Sequence, residues 1–414
     1  MSIHPRFNLT LPLLGVSALA LCGTATAGFV DDSRASLELR NFYMNRDFRH
    51  SGGDEKQDEW AQGFLLRFES GYTDTSIGVG FDAYAALGVK LDSARGRSGD
   101  NGIFPQSTDG TPADEFSHLR GTAKFKLSRS VLRIGSMFPT LPVLFYNYGR
   151  LLPSSYSGSL LTMEEVDGLT LHAGRFTHSA QRNSSSSDRI SYYRGGVESD
   201  HLDLIGGSYQ LGENLTASYY YGELDDIYRQ HFAGLVHSWP LSENLLLRTD
   251  LRYFKSRDDG TARVGCIDND TFNGMLSLSA GSHKFSGAYQ QVSGDGEFPF
   301  IGQDPYVVNL SFHGTFTREE MKSWQLRYDY DFTALGIPGL TFTTRYVNGY
   351  DALVDGRKQG KEWERNNELF YTVQSGPLKN VQVQLRNITF RSGGGLTRDV
   401  DENRIMVGYT LPLW

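Results

Sequence analysis

Four arginines, Arg327, Arg345, Arg386 and Arg404, carry the most suggestive chemistry in this chain, and it is the chemistry of holding anions. Each sits in a stretch where polar and apolar residues alternate, and each falls on the polar side. A guanidinium engages a carboxylate through two parallel hydrogen bonds, so several in succession pass an anion along without retaining it. Lys124 and Lys126, in one row with Arg120 along Leu119 to Leu127, extend the same pattern. The competing reading is that every base is matched by an acid on its own face, such as Asp329 or Asp331, and merely solvates the surface it lines. Covalent chemistry has less support. The ten histidines show no spacing to a nucleophile and an acid. The four serines within Gln181 to Asp188 have no activating base beside them. No enzyme activity, metal or cofactor is expected.

The elements that position these bases are amphipathic strands. In Ser323 to Asn348, Trp324, Leu326, Tyr328, Tyr330 and Phe332 alternate with Gln325, Arg327, Asp329 and Asp331. After the turn Gly336-Ile337-Pro338-Gly339, Leu340, Phe342, Thr344 and Tyr346 alternate with Thr341, Thr343 and Arg345. That is a β-hairpin, and its belt of Trp, Tyr and Phe suits a lipid-facing wall better than the dry face of a soluble sandwich. An arginine at the midplane of a lipid-facing surface costs about 2–4 kcal/mol, so the bases are driven inward by energy as well as by parity. Further amphipathic strands follow at Phe64 to Tyr72, Ile77 to Val89, Leu215 to Tyr221, Asn244 to Phe254, His283 to Gln290, Val381 to Phe390 and Arg404 to Trp414. Two strands slip in phase: a further one beginning at Leu37 slips near Asn41, leaving the direction of Arg46 unread, and that of Val381 slips at Asn387.

The start of the chain reads as a secretory signal peptide, residues 1–27: Arg6, an apolar core from Leu9 to Leu21, then small residues at Ala25 and Ala27. Residues 28–414 hold no apolar run long enough for a spanning helix. Only 39% of residues are hydrophobic, yet 13% are aromatic and there are 46 glycines, a balance a membrane protein reaches when half of each spanning segment faces water. With 48 acids against 40 bases, nothing points to a nucleic-acid partner. Cys266 alone survives processing, so no intramolecular disulfide forms. A spanning strand takes about 9–11 residues, and with turns of similar length residues 28–414 form roughly 18 strands, enough for an open lumen. The expected fold is all-β: a single transmembrane antiparallel β-barrel of 18 strands over residues 28–414, in the bacterial outer membrane, with lipid and lipopolysaccharide around it.

One segment breaks the strand period. Between Phe138 and Tyr156 lie prolines 139, 142 and 153, with Tyr146, Tyr148, Arg150 and Tyr156, the composition of a compact loop that packs on itself. Folded into a wide barrel, such a loop constricts the pore; the alternative is a surface loop with exposed aromatics.

GELDDIYRQ at 222–230, the hairpin SWQLRYDYDF…GIPGLTFTTRYVNGYD, YTVQSGPLKN at 371–380 and LELRNFYMNRDF at 37–48 resemble the OprD family of substrate-specific porins, over essentially all of residues 28–414. The resemblance implies 18 strands, a constriction of inward-folded loops and a ladder of basic residues that guides a carboxylate. It implies Arg386 and Arg404 as rungs with Arg46 as a further candidate, Arg150 in the constriction, and Asp304 of Gly302-Gln303-Asp304-Pro305-Tyr306 as an acid opposite the bases. Gln384 stands where the basic-amino-acid branch tends to carry another arginine. The expected function is passive uptake of small carboxylates, cyclic or aromatic acids favoured, with a basic-amino-acid channel, a general diffusion porin and a rim hydrolase as rivals. Monomer and homotrimer stay equally open, because lipid-facing and subunit-facing belts read alike.

Overall fold

A computed structural model describes residues 27–49, 55–99, 101–193 and 196–414. The expected signal peptide lies outside them except for its last residue, Ala27. Eighteen long strands form the wall: β1 Arg34–Phe48, β2 Lys56–Glu69, β3 Gly78–Asp92, β4 Glu115–Leu127, β5 Ser130–Met137, β6 Ser155–Met163, β7 Leu169–Ala180, β8 Leu202–Leu211, β9 Leu215–Leu224, β10 Tyr228–Ser242, β11 Leu245–Asp258, β12 Asp268–Ala280, β13 His283–Asp295, β14 Lys322–Asp331, β15 Leu340–Val354, β16 Arg357–Thr372, β17 Gln382–Gly393 and β18 Val400–Pro412. Every neighbouring pair is antiparallel, and β18 closes the barrel on β1, with Met44 opposite Arg404 and Arg46 opposite Glu402. Closure leaves no free strand edge, the condition for crossing lipid with strands. Among the described residues no helix is long and apolar enough to cross a membrane.

Parity along the strands behaves as the alternation predicts. Phe64, Leu66, Val79, Phe81, Leu119, Leu326 and Ile405 are exposed on the outside. Some strand ends differ from expectation: β2 stops at Glu69 rather than Tyr72, β13 runs on to Asp295 rather than Gln290, and β14 stops at Asp331, where Phe332–Leu335 forms a 3₁₀ turn instead of continuing the strand. The Asp331 side chain accepts the Thr333 N–H at 2.8 Å, and Gly336 ends the turn at φ 80°. That cap satisfies donors that a strand end would leave open.

The apparent slips in β1 and β17 are not bulges. Pairing runs without interruption from Arg34 to Asp47 in β1 and from Gln382 to Phe390 in β17. What changes is the environment. Phe42, Met44, Ile388 and Phe390 point into the barrel and are fully buried there, because inward-folded loops cover them. Arg46 shares their parity, so it faces inward as well.

The apolar cores of the molecule are therefore inside the barrel. One joins Phe42, Met44, Ala61 and Leu65 of the wall to Ile103, Phe104, Leu151 and Leu152 of two loops. Another joins Phe176, Leu202, Phe232 and Phe254 to Leu141, Leu144, Ile190, Phe298, Phe300 and Val307, and a small third joins Phe316 and Met321 to Val347 and Ala352. Burying each such side chain is worth about 1.5–3 kcal/mol, enough to hold long loops in the lumen rather than in solvent. The Pro-rich segment follows β5, near whose end Gly135 has a φ of 136° and a close approach to the Gly121 carbonyl that exclude a side chain, and it includes a short hairpin, Thr140–Leu141 with Leu144–Phe145.

Candidate functional site

The inward loops leave a polar cavity of about 590 Å³ against β1 and the last strands of the wall. Six arginines line it, Arg40, Arg150, Arg182, Arg345, Arg386 and Arg404, with Asp304 as the lining carboxylate. Alternation places Arg345, Arg386 and Arg404 on the inner face, and register brings them together: Arg386 lies opposite Arg404. Arg345 lies opposite Asn366 on β16, which in turn lies opposite Ile388 on β17.

Phe312, from the loop 296–321, is the hub of this cluster. Its ring lies 3.9 Å from the Arg386 guanidinium carbon, 5.0 Å from that of Arg345 and 5.7 Å from that of Arg404. The ring face is negative, so it gathers cations that would otherwise repel one another. The loop carrying Phe312 is hooked to the wall by Glu364 of β16, whose carboxylate accepts the backbone N–H groups of Phe312 at 3.0 Å, His313 at 3.2 Å and Gly314 at 2.7 Å. Arg404 also donates to the Phe312 carbonyl at 3.0 Å.

The six arginines are not equivalent. Arg386 is paired with Glu368, and Arg404 with Glu402. Glu402 is fully buried and also takes Arg46 at 2.6 Å. Arg345 donates instead to the Leu310 carbonyl at 2.9 Å and the Ser311 hydroxyl at 3.0 Å. Arg150 donates to the carbonyls of Asn101 and Gly149, both at 3.0 Å. Arg182 donates to Asn147 Oδ1 at 2.9 Å and the Asn101 carbonyl at 3.1 Å. Three guanidinium groups are thus held by neutral acceptors, which position them without cancelling their charge. Burial among other arginines pushes Arg150 well down from its usual value and Arg182 down to about 10. Burial raises Asp304, against the pull of Arg182, Arg150 and Arg404. His313, fully desolvated in the same loop, falls to about 3 and is neutral at physiological pH.

Tyr146 and Tyr148 line the cavity. Tyr148 donates to Glu38 and lies under Arg40, 4.1 Å from its guanidinium carbon. Other residues singled out in the sequence lie elsewhere. Tyr156 is buried behind the hairpin with its hydroxyl on the Phe145 carbonyl, so it offers no stacking face to a solute. Arg327 is held by Asp329 at 2.6 Å, the acid named as its competitor. Lys124 is buried against Asp82 at 2.6 Å and the Ser70 carbonyl at 2.7 Å. Lys126 lies 5.5 Å from the ring of Tyr72. None of these three lines the cavity. Arg40, Arg182 and Phe312 were not expected. Arg40 was readable, since it shares parity with Glu38, whereas Arg182 and Phe312 lie in loops where no period points a side chain. Among the described residues no group of His, Cys, Asp and Glu is arranged to hold a metal.

Comparison with known proteins agrees with this architecture. The family model described as outer membrane porin, OprD family, matches residues 27–413. A porin-like protein, GalP, of Pseudomonas putida is 37% identical over 407 residues, covering 97% of this chain and 98% of that one. The crystal structure of OccK9 (OpdG) from Pseudomonas aeruginosa superposes with a TM-score of 0.90 at 42% identity, covering 93% of this chain and 100% of the other. That of Pseudomonas aeruginosa OpdK with vanillate does so with a TM-score of 0.88 at 41% identity, covering 94% and 100%.

Proposed function

This chain belongs to the OprD family of outer-membrane porins, and on that premise we propose that it admits small carboxylates, aromatic and cyclic acids above others, by passive diffusion across the arginine-lined cavity. Its relatives are porins, channels and not enzymes, and its place is the bacterial outer membrane, among lipids and small solutes.

The observation that carries the reading is the excess of six arginines over one lining carboxylate, with Arg150, Arg182 and Arg345 held only by neutral acceptors. A carboxylate entering this space exchanges water for guanidinium donors, in a setting where low dielectric strengthens each contact. Several donors side by side keep any one from becoming a trap. Tyr146, Tyr148 and Phe312 give an aromatic ring flat surfaces to pass along. OpdK, a relative in structure, carries vanillate, itself an aromatic carboxylate, in its crystal. A basic amino acid finds Asp304 for its cationic end, which keeps that class as the second reading.

The test is competition in liposomes carrying the purified protein. A labelled benzoate should enter faster than neutral sugars of similar size, be displaced by other aromatic acids, and slow at high salt. Preference for arginine or lysine over benzoate would favour the second reading, and equal entry of all solutes that fit would make the protein a general diffusion porin.

A further inference from the structure

We infer that a second carboxylate-binding station, centred on Arg133 and Arg120, lies on a different arc of the wall from the arginine cluster, toward the short-turn side of the barrel, the end that carries the Ser128–Arg129 turn between β4 and β5. A second lumenal cavity, about 460 Å³, is enclosed by the inner faces of β2 to β7 and roofed by the hairpin segment 136–141. Thr140 lines both this cavity and the arginine-rich one, so the two abut at the hairpin.

Three of its polar groups are donors that lack an acceptor. Arg133 lies opposite Lys124 on the inner face and, among the described residues, makes no hydrogen bond or ion pair. The Nε of Arg120 is buried and unpartnered, although its terminal nitrogen donates to the Ser186 carbonyl at 2.9 Å. Tyr84 is 5% exposed, and its hydroxyl, also on this cavity, has no partner. Buried donors left open cost free energy unless an acceptor arrives, and two guanidinium groups with a phenol select an anionic oxygen acceptor. The other charges are accounted for: Arg67 is bound by Glu38 at 2.8 Å and Asp82 by Lys124 at 2.6 Å, which leaves Glu69 against Arg120 and Arg133. Beside Thr122, Ser136, Thr140, Thr162 and His172, the side chains of Met137, Phe138, Leu141 and Leu160 add an apolar surface, which suits the ring of an aromatic acid better than a free inorganic anion.

The inference rests on the carboxylate passage proposed above, and one experiment separates the two. The protein in a planar bilayer is exposed to benzoate from each side in turn, and the affinity of channel block is read from single-channel closures. Wild type should be blocked from both sides. Arg133→Gln should weaken block from the short-turn side about tenfold, the loss of one charge-assisted contact, and leave block from the long-loop side within about twofold. Tyr84→Phe, which keeps the ring and its packing, should weaken the same side by a smaller factor. Unchanged block in both variants, in channels of normal chloride conductance, would overturn the second station while leaving the first intact. No benzoate block of wild type from either side would overturn the carboxylate reading itself and the station with it.

Discussion

The Glu364 carboxylate accepts the backbone N–H of Gly314 at 2.7 Å, and through this bond and its neighbours at Phe312 and His313 a wall strand holds a loop in the middle of the pore. Glu364 is fully buried, and its acceptors are filled by three successive N–H groups. The arrangement makes the position of Phe312, and with it the spacing of the arginines, a property of β16.

Glu364→Ala should release that loop. We expect higher and noisier single-channel conductance and a loss of discrimination between benzoate and chloride, with the barrel still folded because the wall pairing is untouched. An unchanged conductance trace would mean that the apolar contacts of Phe298, Phe300 and Val307 hold the loop without it.

Arg345 is held by neutral acceptors, whereas Arg404 shares the buried Glu402 with Arg46. A hydrogen bond to a charged partner is worth about 1.5–3 kcal/mol, so Arg345→Ala should cut benzoate uptake roughly 10- to 100-fold while neutral-sugar leakage stays level or rises. Liposome swelling with the two solutes in parallel reads both. Equal loss of the two would count against a role for Arg345 in anion passage.

Glu402→Gln removes the carboxylate between Arg46 and Arg404. Two buried guanidinium groups are then left facing each other, and breaking a buried pair in this way costs about 3–5 kcal/mol. Denaturant unfolding in detergent or lipid should show a corresponding drop in midpoint. The double replacement of Glu402 by Gln and Arg404 by Met should recover part of the loss, since it removes one of the stranded charges.

The cavity should become more anion-selective in mild acid. Burial disfavours the charged form of Asp304, so its carboxyl takes up a proton at a pH above the ordinary aspartate range, and the site loses a negative charge as pH falls. His313, lowered to about 3, stays neutral through this window and Arg182, near 10, stays charged. Benzenesulfonate, which keeps its charge throughout, should therefore pass faster at pH 5 than at pH 7. Asp304→Asn should pass it at the faster rate at both. A pH response that survives in Asp304→Asn would assign the effect to another group.

Alternation of period two was sufficient to give the barrel and to send Arg345, Arg386 and Arg404 inward, because the face a strand residue takes follows from its position alone and lipid penalises a charge on the wrong face. The same rule failed at Asn41 and Asn387, where it assumes a wet interior: Phe42, Met44, Ile388 and Phe390 face inward onto loops, and only the packed loops reveal that they are dry. Pairing was likewise unreadable. Arg327 meets an acid two residues away, but Arg46 meets Glu402 from the far end of the chain, and Arg182 meets carbonyls of two other loops. Phe312 gathers three arginines only because Glu364 fixes its loop. Which way a base points is local geometry, whereas whether its charge is free depends on what strand register and loop packing bring within a few ångströms of it.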